Sequence, residues 1–409
     1  MLMKAGSETL RVQNRALVLS TMRELGPVSH TEISEWSGLA SATVSSITAE
    51  LVQQDVLLRQ EQSPSSGRGR PRVSFVQNSN CAFIAAIRIV YNAVEYSLVD
   101  YSGTLKDRFE IKRKSIHESK EDFIADFVEG LERLVERSGL KPSQVETISI
   151  TSKGLVARGA PILLWSPVFD DGRIDFEDIL RSKWQGRITL TNETRFAARA
   201  VAENYRQHGK QNYFGNHATL SLDHSIGLGI ATHESSGRIT SIAPPFGHMV
   251  HEPHGPLCRC GSKGCIEAYS GFYGILRTAF EVEPSTIPAK FIPFEEVEKI
   301  AQRARQGDHR AAYAFRQAGD VIGIGLSRLH SFMGTMPVTI TGPGALFSDL
   351  MLPSIQSHIK SNLQVRFDTM PEISIDSDDA ALIYQGNVAT SLADMDSNVI
   401  AMRKSTGNI

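Results

Sequence analysis

Apolar residues near the start of the chain recur at helical spacing. Leu10, Leu17, Val18, Met22 and Leu25 form one stripe that predicts a buried helix face. Gly26-Pro27 stops that helix. Ser29, with Glu32 three residues on, fits a capping box that opens a second short helix, His30 to Ser37. Gly38 supplies a tight turn, and a third helix runs from Ser41 to about Gln53. Its inward face is Val44, Ile47 and Leu51; Ser41, Ala42, Ser45 and Ser46 point outward. Two short helices around a glycine turn, the second with small polar residues on its outer face, are the pattern of a helix-turn-helix.

Asp55 to Arg59 then reads as a strand and Arg72 to Val76 as its partner. The segment between them is rich in Ser, Gly, Pro and Arg, as expected for the wing of a winged helix. Four Arg and one Glu between Arg59 and Arg72 make it locally basic. An extended arm carrying Arg68, Arg70 and Arg72 suits the negative potential of a DNA minor groove. A bare interaction module or a solvated linker is the competing reading of each part. Their order (glycine turn, small polar outer face, basic wing) favours DNA binding.

Beyond Asn80 the pattern alternates between strand and helix periods. Phe83–Ile89, Val94–Val99 and Phe109–Ile111 read as successive strands, followed by an amphipathic helix around Phe123, Phe127, Leu131 and Leu134 and a strand at Val145–Ile150. A looser β-β-β-α-β order returns after residue 215, with Ala218–Leu222, Ile226–Thr232 and, after a long insertion and helices, Val338–Thr341. Two such lobes facing across a cleft describe an α/β fold of the actin/hexokinase type, with a ligand expected between the lobes. The expected division is a winged helix-turn-helix domain over 1–80, a first lobe over 81–195 plus about 385–409, and a second lobe over 196–384.

Composition narrows the function. The 409 residues are 41% apolar and 22% charged, with 43 Lys+Arg against 45 Asp+Glu and a formal net charge of −2. A uniformly basic nucleic-acid binder is excluded, so DNA contact must come from a local patch. No apolar run approaches the roughly 20 residues of a membrane span, and Met1 to Arg11 lacks the apolar core of a signal peptide. Three of the 4 Cys lie at 258, 260 and 265. That spacing is no disulfide framework; it predicts a metal site in a reducing compartment, hence a cytoplasmic protein without membrane contact.

His248 with Cys258, Cys260 and Cys265 is a Cys3His set, which closes a tetrahedral zinc site. Gly261 and Gly264 let the loop fold tightly enough for the thiolates to converge. Soft ligands and no open position argue for a structural Zn2+ rather than a catalytic one; three reduced thiols beside a core histidine are the alternative.

The run Gly247-His248, nine residues, Cys258-x-Cys260-Gly261-x-x-Gly264-Cys265-x-Glu267 resembles the signature of the ROK family (repressors, open reading frames, kinases). An N-terminal winged helix ahead of it resembles that family's sugar-responsive transcriptional repressors. The resemblance implies a two-lobed actin/hexokinase-like fold with a ribonuclease-H-like motif. It also implies a cleft in which Asn192, Glu193, His248 and Glu267 match sugar-contacting positions.

The phosphate side departs from the kinases. Their Asp-x-Gly-Gly-Thr turn corresponds here to Arg88, with Val90 and Tyr91 for the glycines and Asn92 for the Thr. Side chains there block the backbone from a phosphate. The second phosphate loop, Gly-Thr-Gly-Ile-Gly in the kinases, reads Asp223-His224-Ser225-Ile226-Gly227, and its carboxylate repels a triphosphate. Thr341-Gly342-Pro343-Gly344 retains only part of a nucleotide-side glycine pair. The catalytic Asn-Asp pair has become Asn192-Glu193, and Pro245 replaces the Glu of the sugar clamp. Trp165 either stacks on a sugar face or is an ordinary core or lobe-surface aromatic.

The expectation is therefore a non-enzymatic DNA-binding regulator, a repressor of carbohydrate-related genes. It would bind an inverted-repeat operator in double-stranded DNA as a homodimer or homotetramer, and sense a sugar or sugar derivative. Two alternatives stand beside it: a ROK-type sugar kinase using ATP, and a repressor relieved by a protein partner.

Overall fold

The computed structural model describes residues 7–61, 73–115, 118–169, 172–207, 213–234 and 238–406. The N-terminal unit contains α1 (Ser7–Leu25), α2 (His30–Ser37), α3 (Ser41–Gln53) and the antiparallel pair β1 (Leu57–Glu61) and β2 (Val73–Gln77). The capping box closes as the sequence implies. Ser29 accepts from the Glu32 amide, and the Glu32 carboxylate accepts from the Ser29 amide at 2.8 Å. Gly38 takes the left-handed conformation, φ 69°, that turns the chain from α2 to α3. β1 begins at Leu57 rather than Asp55 because Asp55 is itself in a left-handed turn, φ 54°.

The stripe on α1 needs correction. Val18 and Met22 are buried, but Leu10 and Leu17 are 49% and 40% exposed, and Leu19 is fully buried in their place. α1 has neighbours on two sides: α2 and α3 on one, the C-terminal helix of the chain on the other. Packing between two partners chooses the face, which a single periodic stripe does not register.

The first lobe carries a five-stranded sheet. Its strands are β3 (Phe83–Ile89), β4 (Ala93–Asp100), β5 (Leu105–Lys112), β6 (Val145–Ser152) and, after further elements, β10 (Arg187–Asn192), in the order β10-β6-β3-β4-β5. β3 pairs antiparallel with β4 and parallel with β6. The amphipathic α4 (Lys120–Arg137) covers one face, burying Phe123, Phe127, Leu131 and Leu134 against Tyr96 and Ile150. A full aromatic burial of this kind contributes about 1.5–3 kcal/mol. A small three-stranded sheet, β7 (Leu155–Val156), β8 (Ile162–Trp165) and β9 (Ile174–Asp175), leads through α5 (Phe176–Leu180) to β10 (Arg187–Asn192).

α6 (Glu193–Gln207) carries the chain into a second five-stranded sheet. β11 (Gly215–Leu222), β12 (Ile226–His233) and β13 (Ile239–Ile242) are antiparallel neighbours. The metal-loop segment follows, then α7 (Ile266–Ser270), α8 (Phe272–Ala279), α9 (Phe294–Arg305) and α10 (His309–Met333). β14 (Val338–Thr341), α11 (Ser348–Ser361), α12 (Leu363–Phe367) and β15 (Ile373–Asp376) complete it, in the sheet order β13-β12-β11-β14-β15. The two sheets with flanking helices are the two-lobed actin/hexokinase-like architecture. Among the described residues no helix is long and apolar enough to cross a membrane.

The last helix, α13 (Asp379–Thr406), packs along α6 and α1. One core therefore holds Val18, Leu19, Met22, Val44 and Leu51 of the N-terminal unit together with Ile84, Val99 and Tyr101 of the first lobe and Val388, Leu392 and Met395 of α13. An ion pair locks this seam. Arg23 donates to Asp396 at 2.7 and 3.0 Å, and the Tyr101 hydroxyl donates to the same carboxylate at 2.7 Å. Asp396 is buried.

Candidate effector cleft, metal cluster and DNA-reading helix

A cleft of about 1020 Å³ lies between the lobes, walled by β10, the start of α6, the β7–β8 hairpin, the segment 241–248 and residues of α13. Asn192, Glu193, His248 and Glu267 all line it, with Trp165 and Pro245. Each of these four already has intramolecular partners. Asn192 donates to Gly154 O at 2.8 Å and accepts from the Thr194 amide and hydroxyl. Glu267, 1% exposed, accepts from the Ile226 amide at 3.3 Å and from Tyr273 at 3.3 Å. Trp165 stands edge-on to the His248 ring, 5.2 Å between centroids, which makes it a wall of the cleft rather than a core residue.

The neighbouring part of the cleft is filled. Arg88 reaches Glu193 at 3.1 Å and Asp379 at 2.8 Å. Lys153 lies 3.5 Å from Glu193 and bridges to Asp223 in the other lobe. Asp223 also meets His224 Nδ1 at 2.6 Å, while His224 Nε2 lies 2.6 Å from Ile292 O. Burial alone would lower the Lys153 pKa and raise that of Asp223. Instead the Asp223 and Glu193 carboxylates hold Lys153 above the usual lysine range, and Lys153 with His224 holds Asp223 well below the usual carboxylate range.

Tyr91, buried, extends from the first lobe to the Ser225 hydroxyl at 3.2 Å and packs against His224 and Phe291. Arg259 stacks near it and donates to His224 O and Ser225 Oγ at 2.6 and 3.1 Å. The residues standing at the two kinase phosphate loops thus touch each other across the lobes. Lys153 and Arg259 were not singled out from the sequence. The only signal for Arg259 was its place between two of the clustered cysteines; Lys153 gave none, because its partners are 40 and 70 positions away.

His248, Cys258, Cys260 and Cys265 converge, with one ligand atom from each lying within 4.8 Å of the others. Cys260 Sγ is 3.8 Å from Cys265 Sγ and Cys258 Sγ is 3.6 Å from His248 Nδ1. A tetrahedral cation with bonds of about 2.0 and 2.3 Å sets edges of roughly 3.6 and 3.8 Å, so the four donors fit one. Gly261 and Gly264 both take left-handed conformations, φ 88° and 71°. At Gly264 a Cβ would also collide with the Glu252 carbonyl. A side-chain hydrogen bond with Cys265 and burial push the Cys258 thiol up to about 12.

On α3, Ser41, Ala42, Ser45 and Ser46 are exposed while Val44, Ile47, Thr48 and Leu51 are buried. Ala40 gives this helix no side-chain cap, which leaves its positive end open to a phosphate. His30 fixes α2 against α3, lying 2.7 Å from Thr48 Oγ1 and stacked on Phe75. Arg68, Arg70 and Arg72 lie outside the described residues.

The family model described as "ROK family" matches residues 85–389, three quarters of the chain. The chain belongs to the ROK family. Among curated relatives, this ROK protein is 24% identical to the xylose repressor of Caldicellulosiruptor bescii over 399 residues, 95% of this chain and 98% of the relative. Among solved structures it is similar to a ROK family transcriptional regulator described as a homologue of the E. coli MLC protein. That match has a TM-score of 0.74 and 20% identity, covering 96% of this chain and 99% of that one. It is also similar to a ROK family glucokinase from Streptomyces griseus solved with glucose and AMPPNP, with a TM-score of 0.54 and 20% identity over 76% of this chain and 99% of that one. The kinase thus matches three quarters of this ROK protein, and the regulator nearly all of it.

Proposed function

We propose that this ROK protein is a sequence-specific DNA-binding repressor of carbohydrate-related genes that senses a sugar or sugar derivative in its cleft and has lost kinase activity. One observation carries the reading: the N-terminal helices share a single hydrophobic core with a ROK body whose phosphate end is occupied by its own side chains. The xylose repressor relative supports the repressor assignment.

In this reading the chain divides at 1–80, at 81–195 with about 385–409, and at 196–384. α3 enters a major groove with Ser41, Ala42, Ser45 and Ser46 near base edges, and Arg68, Arg70 and Arg72 grip phosphates or the minor groove. A homodimer reads an inverted repeat in the cytoplasm. Asn192, His248 and Glu267 form the sugar end of the cleft, and Glu193 stands where that end meets the cluster of Arg88 and Lys153. Zn2+ held by His248, Cys258, Cys260 and Cys265 stiffens the loop that presents His248 and Glu267. Glu193 is no general base, because its carboxylate is shared between Arg88 and Lys153.

α13 supplies the coupling. Its Thr390, Ser391 and Asp394 line the cleft, while its Val388, Leu392, Met395 and Asp396 hold the N-terminal unit. A ligand that favours one lobe arrangement over another shifts that helix and with it the reading heads.

Gel-shift assays against inverted repeats upstream of the gene and its neighbours should give salt-sensitive complexes that Arg70→Ala weakens about tenfold. No shift on any such repeat overturns the reading. Phosphate release from ATP with a panel of sugars should be nil; sustained turnover establishes a kinase instead.

A further inference from the structure

The cations around the cleft fall into two groups. Arg88, Lys153, Arg187 and Arg259 are each matched to carboxylates: Glu193 and Asp379, Asp223 and Glu193, Asp394, and Glu267 respectively. Arg158 and Arg195 also line the cleft, are exposed, and have no ion-pair or hydrogen-bond partner among the described residues. Arg158 sits in the turn of the β7–β8 hairpin and Arg195 in the first turn of α6. A cation in the first turn of a helix opposes the helix dipole, which favours an anion there. Exposed at that place, the Arg195 guanidinium is accessible to an anion entering the cleft.

The neutral-sugar side is depleted at the same time. Pro245 lines the cleft without a side-chain acceptor for a hydroxyl. Asn192 and Glu267 spend donors and acceptors on their own chain. The cleft volume exceeds the need of one monosaccharide ring, and planar guanidinium forks match carboxylate and phosphate oxygens.

Resting on the sugar-sensing reading above, we infer that the effector is an anionic sugar, a sugar acid or a sugar phosphate. Arg195 pairs with its anionic group and Arg158 adds a second positive charge at the hairpin turn. The two anions share one chemistry, so separate arms of the test tell them apart.

Titration calorimetry on the intact protein with glucose, glucuronate, glucose 6-phosphate, N-acetylglucosamine, N-acetylglucosamine 6-phosphate, xylose and inorganic phosphate is the test. At least one uronate or phosphate should bind about tenfold or more tighter than its neutral parent, and weaken as salt rises. Arg195→Gln should abolish that preference and Arg158→Gln should reduce it about threefold, with unchanged melting temperatures showing that both variants fold; Arg195→Lys should restore part of it.

A neutral sugar bound as tightly as its charged derivatives overturns this inference and leaves the sugar-sensing reading standing. Charged sugars indifferent to both substitutions, or free phosphate bound as tightly as a sugar phosphate, also overturn the inference alone. Absence of binding by every member overturns both.

Discussion

The two ends of the interlobe cleft are lined by the same two lobes and differ in what their side chains do. At one end Arg88, Tyr91, Lys153, Glu193, Asp223 and Ser225 satisfy one another across the gap, so the protein supplies its own ligand. At the other end Trp165, Pro245, Arg158 and Arg195 line open space. In the proposed regulator, side chains at positions that resemble a kinase phosphate berth form a bolt between the lobes, while the remaining space keeps the capacity to bind. Closed and open ends should therefore answer substitution differently, the first in stability and the second in affinity.

The largest effect should come from the metal loop that frames the open end. Elemental analysis should find about one zinc per chain, and Cys260→Ser or chelation should remove it and lower the melting temperature by about 10 °C or more. Next is Arg88→Ala at the closed end, which leaves the half-buried Asp379 without its guanidinium and Glu193 with Lys153 alone. Urea unfolding should register a loss of about 3–5 kcal/mol.

The bolt should also show in pH. Asp223 is held below the ordinary carboxylate range, so its contribution is complete above about pH 4 and disappears as pH falls through its lowered value. Lys153 is held above the ordinary lysine range, so its contribution is complete below about pH 10.5 and is lost as pH rises past that. Melting temperatures followed into acid should fall less steeply in Asp223→Asn than in the parent; equal slopes would mean that the pair adds nothing.

Tyr91→Phe removes one hydroxyl bond and should lower stability by about 1 kcal/mol. The smallest change in stability belongs to the open end. Trp165→Ala should cost about 1 kcal/mol or less in unfolding while weakening effector binding measurably. A large loss of stability there would mean that the two ends are not different in kind.

Much of this was legible in one dimension. The capping box at Ser29, the turn at Gly38 and the inward Val44, Ile47 and Leu51 are set by contacts within a few residues, which a sequence displays directly. The cysteine spacing brings the candidate ligands together for the same reason: three cysteines lie within eight positions and two glycines permit the turn. Bulky residues at the positions that resemble the kinase phosphate loops were readable too.

What the sequence by itself determined, then, was the identity of each local device. Tertiary structure decided which face of α1 is buried, since two neighbours compete for it. It also decided that Arg88 and Lys153 form a bolt rather than two isolated cations, and that α13 joins the cleft to the N-terminal helices. The physical reason is range. Capping, turns and ligand spacing act over a handful of residues, whereas charge pairing and core packing join positions as distant as Arg23 and Asp396, which only the folded chain brings together.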